Sequence, residues 1–410
     1  MKLLVVHDKP RGELGGMNAF IGAQNALFAQ AGWVVTELIC TPDPQPGALH
    51  VEPSGRRMGY RAVRQLAALL TQARPDAAIV HSVYYALGPS ALLWLQRQVP
   101  TVYVLHDVTP LCPRATRLTR EGAVCQRVQG PRCVGSGCYR VGEQGRWLSD
   151  AYGLLMRALQ TRAAQQVRTW VVPSGYMADL LAQHGIDARR VSVVPHFIGS
   201  APIPDAPSIT GRMLFAGRLV AEKGVSVLLD ALAHLKSAHW TLHIAGEGPE
   251  RAAIERRIAL HGWADRVRIC GILTPEALAS EYAQASLVVM PSLIPESFGL
   301  VGLEAMRHAR PVVGFASGGM SEWLRDGITG RVAEWGDSAS LARAVDGLLA
   351  QPQHAQEMGM RGRDLAAHEF GAEAHLKRMR AVLDLAMAAS GRQPPVRDSA
   401  QQHRNAQAGP

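Results

Sequence analysis

The sequence predicts an α/β protein built from two parallel-sheet domains. Three observations lead there. Its 410 residues exceed one ordinary domain and suit two. A short β-rich run, a polar or glycine-containing turn and a helix-period segment follow one another repeatedly, which is the pattern of strands joined by crossover helices. That rhythm breaks at Gly199–Arg212, a stretch of Pro, Ser and Asp that reads as a linker, and then restarts.

In the first half the expected strands are Leu3–Val6, Val34–Leu38, Ala77–Val80, Thr101–Leu105, Trp170–Val172 and Val191–Val194. Between the first two lies the helical pattern Met17–Ala31. Its Met17, Phe20, Ile21, Leu27, Phe28 and Ala31 fall near one side, and Gly32 is a suitable stop. In the second half the expected strands are Met213–Ala216, Thr241–Ala245, Val267–Cys270, Leu287–Met290 and Pro311–Gly314. The expected domains are residues 1–200 and 201–371. A closing helix follows at 372–390, then a polar, Pro- and Gln-rich tail at 391–410 that reads as disordered.

Composition narrows the function. Hydrophobic residues at 47% supply large cores, and a formal charge of +9 favours an anionic partner. The Lys and Arg are scattered without aromatic interleaving, so no nucleic-acid partner is expected. No window approaches the ~18 apolar residues of a membrane span. The first apolar run ends at His7-Asp8-Lys9, too short for a secretory signal. The expected location is therefore the cytoplasm.

The chemistry concentrates at strand ends, where ligands of such sheets bind. Glu296-Ser-Phe-Gly-Leu-Val-Gly-Leu-Glu304 sets one carboxylate on a loop and another inside a helix. The helix start between them offers free N–H groups and a positive dipole end, which suit a phosphate. A carboxylate within the helix suits neutral hydroxyls. Phe215-Ala-Gly-Arg-Leu-Val-Ala-Glu-Lys-Gly224 places Arg218 and Lys223 beside glycines, two cations able to hold a diphosphate. Gly15-Gly16 follows the first strand, and Gly246-Glu-Gly-Pro249 follows another; both allow close backbone approach. His81 and His106 each follow a strand, and Asp107 is placed to orient the His106 ring.

Of the six Cys, Cys112, Cys125, Cys133 and Cys138 cluster in a Gly/Arg/Pro-rich insertion. Four thiols are the number for a closed structural zinc site. The spacings lack a Cys-x-x-Cys pair, so unpaired or transiently redox-active thiols stand as the alternative. Cys40 and Cys270 read as strand packing.

Taken together, the chain resembles the family 4 retaining glycosyltransferases over roughly residues 1–390. The resemblance rests on Gly15-Gly16, Gly217-Arg218…Lys223-Gly224, Gly246-Glu247-Gly248-Pro249, the Glu296/Glu304 motif running into Ala305-Met306…Pro311-Val312-Val313, and Gly318-Gly319…Glu322…Asp326-Gly327…Gly330. It implies a GT-B fold, two Rossmann-like domains facing across a cleft. The N-terminal domain would take a glycan or lipid-linked acceptor and the C-terminal one a UDP- or GDP-sugar. It further implies that Arg218 and Lys223 hold the diphosphate, with Gly15, Gly16 and Gly246 also on the donor side. Backbone at Phe298, Gly299 and Leu300 would contact sugar and phosphate. Glu304 would bind the ribose, Glu296 the donor sugar near the reacting carbon, and His106 would lie beside that sugar. The last helix of the family usually crosses back to the N-terminal domain. A Cys-Pro segment with further cysteines after the His-Asp pair resembles a subset of the family. Pro195-His196-Phe197 departs from the Pro-Asn-Gly often found there.

In this scheme the leaving phosphate takes the acceptor proton, and two side-chain cations with a helix start replace a donor-site metal. The basic surface suits peripheral docking on the anionic inner membrane face, where lipid-linked acceptors of polysaccharide synthesis lie. A nucleotide-sugar epimerase or another non-transferase enzyme of the same architecture, such as a phosphorylase, is the competing reading.

Overall fold

The computed structural model describes residues 1–8, 16–53, 60–81, 87–130, 132–138, 162–199 and 210–391. Gly15, part of the linker and the tail from 392 lie outside the described residues.

The fold is the two-sheet α/β arrangement expected. The first sheet holds β1 (Lys2–His7), β2 (Val34–Ile39), β3 (Leu49–His50), β4 (Ala77–His81), β5 (Thr101–Val104), β6 (Trp170–Val172) and β7 (Val191–Val193). Their order is β3-β2-β1-β4-β5-β6-β7. Every pairing is parallel, as in Leu3↔Val35 and Leu3↔Ala77 on either side of β1. The second sheet holds β8 (Arg212–Ala216), β9 (Thr241–Ala245), β10 (Val267–Gly271), β11 (Leu287–Met290), β12 (Val312–Gly314) and β13 (Gly330–Val332). Their order is β10-β9-β8-β11-β12-β13.

Alternation along each strand feeds two cores. In β1, Leu4 and Val6 join Leu38, Val80 and Tyr103 on one face. Leu3 and Val5 join Phe20, Phe28 and Val102 on the other. That second core is completed from the far end of the chain: helix Ala372–Ala388 inserts Met379, Val382, Leu383 and Met387 into it. Burying a side chain of that size contributes about 1.5–3 kcal/mol, so the helix is anchored on the N-terminal sheet. In the second sheet Phe215, Ile244 and Val289 face one core, while Leu214, Val288 and Val312 face the other.

Two strands, β3 and β13, were not expected from the sequence. Each is only two or three residues long and lacks a fully buried apolar run, so period-2 alternation has no room to show.

Candidate active site

The loops after β8, β9 and β11 carry Arg218 and Lys223, Gly246, and Glu296, and of these Lys223 and Glu296 meet directly. After β8 the chain makes a short 3-10 turn, Ala221–Lys223, ending at Gly224 with φ 71°. A side chain there is barred twice, by the left-handed backbone and by the Pro291 carbonyl against which Gly224 packs. Leu293 N–H donates to the Glu222 carbonyl at 2.8 Å. The Lys223 turn is thus seated on the loop after β11. The consequence is a direct bond: Lys223 Nζ donates to Glu296 Oε1 at 2.6 Å, and Ser292 Oγ donates to the same oxygen at 2.6 Å. The lysine and glutamate side chains are 24% and 12% exposed, so the ion pair borders the cleft and is neither core nor free surface.

Arg218 is exposed on the loop after β8. Leu219 N–H donates to the Glu247 carbonyl at 2.8 Å, and Glu250 N–H returns a bond to Leu219 at 3.0 Å. This zips the loop to the turn after β9. Gly246 and Gly248 are needed for that approach, because a Cβ on either would meet the carbonyls of Gly217 and Leu219.

Helix Leu300–Arg307 begins at Gly299, φ 89°. Its first N–H groups lack intrahelical acceptors, and the helix starts a few residues after Glu296. The second glycine of the motif, Gly302, lies under the Trp323 ring with no space for a methyl group. Trp323 is fully buried and donates Nε1–H to the Phe298 carbonyl at 2.6 Å. Glu304 lies further into the helix, beside the Tyr282 hydroxyl. Burial raises its carboxyl above the usual range, with Tyr282 and Arg307 partly offsetting the rise. A carboxylate in that state gains from hydroxyl donors.

Facing this, the N-terminal domain presents imidazoles. His106 is 2% exposed. Its Nε2 shares a hydrogen bond with His81 Nδ1 at 2.8 Å, and its Nδ1 shares one with His196 Nε2 at 3.0 Å. The three rings stack with centroids 5.1 and 5.2 Å apart. Burial lowers both His81 and His196 to a pKa of about 3, so they are neutral at physiological pH. The expected orienting role of Asp107 is corrected: this exposed carboxylate accepts the Thr109 N–H at 2.7 Å, and imidazoles orient His106. Phe20 packs on His106 and His196, and its helix begins at Gly16, which lies against Leu300. His196 in turn meets Phe298 edge-on at 5.6 Å. Sequence reasoning missed Ser292 and Tyr282, which are ordinary residue types without a motif. It also missed His375, which bonds Gln24 at 2.8 Å and the Pro195 carbonyl at 2.9 Å.

Two further contacts join the domains. Ser174 Oγ donates to the Ser297 carbonyl at 2.6 Å, and Gly175 N–H donates to Glu322 Oε1 at 2.5 Å.

Cys112 and Cys133 are buried, and Cys125 and Cys138 are partly so. The Cys138 thiol is raised by burial and by the charges of Cys133, Cys112 and Cys125, which places the four in one neighbourhood. No three of these sulfurs lie within 4.8 Å of one another, so a shared ion would require them to draw together. Cys40 is core packing as expected, its thiol raised to about 12 by burial. Cys270 is not: it is half-buried, beside His243 and Glu281.

The family model "Glycosyltransferase Family 4" matches residues 15–200, and "Glycosyl transferases group 1" matches 210–351. The chain belongs to glycosyltransferase family 4. A D-inositol 3-phosphate glycosyltransferase of Geodermatophilus obscurus is 28% identical over 395 residues, 85% of this chain and 82% of that one. An alpha-D-kanosaminyltransferase of Streptomyces kanamyceticus is 35% identical over 216 residues, a match spanning 52% of this chain and 54% of that relative. Among solved structures, HepE of Anabaena in complex with UDP superposes with TM-score 0.67 at 18% identity, over 94% of this chain and all of that one. Sucrose-phosphate synthase of Thermosynechococcus elongatus gives 0.69 at 20%, over 95% and 99%. These likenesses show the GT-B fold; the family makes the chain a glycosyltransferase, of the hexosyl-transferring, retaining type.

Proposed function

We propose that this glycosyltransferase moves a hexose from a UDP- or GDP-sugar to a glycan or lipid-linked acceptor in cell-surface polysaccharide or glycoconjugate synthesis. The observation that carries the donor half is the Lys223–Glu296 bond beside the helix start at Gly299. A cation, a ring of N–H donors and a sugar-facing carboxylate meet there, where a diphosphate leaving group develops charge. Lys223 and Arg218 stabilise that charge. An incoming phosphate draws Lys223 from Glu296 and frees the carboxylate for the sugar hydroxyls. The departing phosphate oxygen takes the acceptor proton on the same face, giving retention. His106, held by its two neutral neighbours, positions the sugar from the N-terminal side. Glu304 takes the ribose hydroxyls.

UDP is supported as the donor carrier by HepE, solved with UDP and with UDP-glucose. Thermal shift with UDP-, GDP- and ADP-sugars tests this, since a ligand that binds only the folded chain raises its melting temperature. No stabilisation by any of them overturns the donor reading. The donor site is proposed to work without a metal, which full activity in EDTA would support. Among the described residues no helix is long and apolar enough to cross a membrane. The proposed setting is cytoplasmic, with peripheral docking of the basic surface on anionic lipid; co-sedimentation indifferent to anionic lipid would count against it. A structural zinc ion is proposed for Cys112, Cys125, Cys133 and Cys138, and elemental analysis showing no zinc in protein purified without chelator would remove it.

A further inference from the structure

A second group of soft and hard donors lies on the outer part of the C-terminal sheet, apart from the Lys223–Glu296 cleft. His243 projects from β9, Cys270 from the edge strand β10, and Glu281 from helix Pro275–Gln284 packed above them. One ligand atom from each lies within 4.8 Å of the other two. His243 Nδ1 and Glu281 Oε2 are 2.7 Å apart. The backbone is irregular at this place: the pairing Ile269↔Ile244 steps directly to Gly271↔Ala245, leaving Cys270 as the extra residue of a bulge. Bulges re-aim side chains, and this one occurs at the thiol that completes the trio.

We propose that His243, Cys270 and Glu281 form a three-ligand site for a borderline-soft divalent ion, zinc in the first instance, with water in the fourth position. Imidazole, thiolate and carboxylate are the donors zinc uses at about 2.0–2.3 Å, and three protein ligands leave the open position of a non-structural site. Thiolate and carboxylate together balance the charge of the ion. Ion binding would displace the Cys270 proton, since the thiolate is the ligand form. The ion would tie β9, the unprotected edge β10 and the covering helix into one unit. Because Gly246 N–H donates to the Gly271 carbonyl at 2.8 Å, that unit ends on the glycine turn bordering the cleft.

The test is alkylation of the chelator-stripped full chain by iodoacetamide, read by mass spectrometry on the Cys270 peptide. Zn²⁺ in excess of what the proposed four-cysteine site takes up is expected to slow labelling about tenfold or more against EDTA, because the thiolate is the reacting species and the ion occupies it; Mg²⁺ is expected to leave the rate unchanged. His243→Gln and Glu281→Gln should each remove the Zn²⁺ protection at Cys270 while leaving the response of the Cys112–Cys138 peptides as in the parent. Equal labelling with and without Zn²⁺ in the parent chain overturns the site, as does protection that persists in both variants. Should either variant fail to fold, Co²⁺ titration of Cys270→Ser decides: loss of one equivalent of thiolate-to-cobalt charge transfer sustains the proposal, and no loss overturns it.

Discussion

The two sides of the cleft use the same scaffold position, the carboxyl ends of parallel strands, for opposite purposes. The C-terminal side sets ionised groups at the margin of solvent: Lys223 on Glu296, with Arg218 exposed nearby. The N-terminal side buries imidazoles in a row, His81, His106 and His196, among Phe20 and Phe298. Charge stands where the proposed diphosphate would arrive and leave. Rigidity stands where the proposed sugar ring would be held. The contrast shows in pH behaviour. His81 and His196 at about 3 and His375 at about 4 lie below the ordinary 6.5. The unfolded chain therefore binds more protons below 6.5, and the N-terminal half loses stability as pH falls from there toward 3–4. Glu304 is raised above 4.5 by burial. Its contribution has the other sign: ionisation costs stability as pH climbs through the raised pKa, and acid relieves it.

This contrast can be broken at several points. Glu296→Gln should lower kcat the most, on the order of 10²–10³-fold, with a smaller change in KM, as for loss of a group acting on the reacting sugar; steady-state kinetics measure it, and a change confined to KM would move Glu296 out of the chemistry. Lys223→Ala should weaken donor binding about 10–100-fold, as expected for a charge-assisted phosphate contact. Calorimetry with the donor reads this directly, and an unchanged Kd would end the phosphate assignment. His196→Phe keeps the ring between Phe20 and Phe298 but removes the partner of His106 Nδ1. About a tenfold loss of kcat with donor Kd unchanged is expected if the imidazole row positions His106; a matching loss of donor affinity would place His196 on the donor side instead. The smallest effect is local: between pH 7 and 5, amide exchange corrected for its intrinsic pH dependence should rise a few-fold in peptides of β4, β5 and helix Ala372–Ala388 before it rises in β8 to β12. Simultaneous rise in both halves would contradict the sign assigned to the buried histidines.

The strands were legible because those buried on both faces read as continuous apolar runs, as in Leu3-Leu4-Val5-Val6 and Leu287-Val288-Val289-Met290. The site motifs were legible because glycines mark where backbone must pass close to backbone, at Gly224 and Gly246, or close to a buried ring, at Gly302. What sequence could not show is which chosen residues touch. Lys223 and Glu296 stand 73 positions apart, were assigned to different parts of a ligand, and bond each other. His375 reaches Pro195 across 180 positions only because the last helix docks on the first sheet. Cys270 looked like strand filling because a bulge leaves no trace in an apolar pattern.

The contacts of Ser174 and Gly175 with Ser297 and Glu322 carry a final consequence. Helix Gly175–Gln183 has its own cap, the Ser174 oxygen accepting from Met177 N–H at 3.3 Å. Its first N–H, however, is satisfied by a carboxylate belonging to the opposite domain. Moving the domains apart therefore does more than widen a gap. It returns one end of that helix to water and rehydrates Glu322, whose burial otherwise raises its carboxyl. The opened state trades a protein partner for solvent at both groups, so the order of a single helical turn becomes a local reporter of whether the two halves of the enzyme are together.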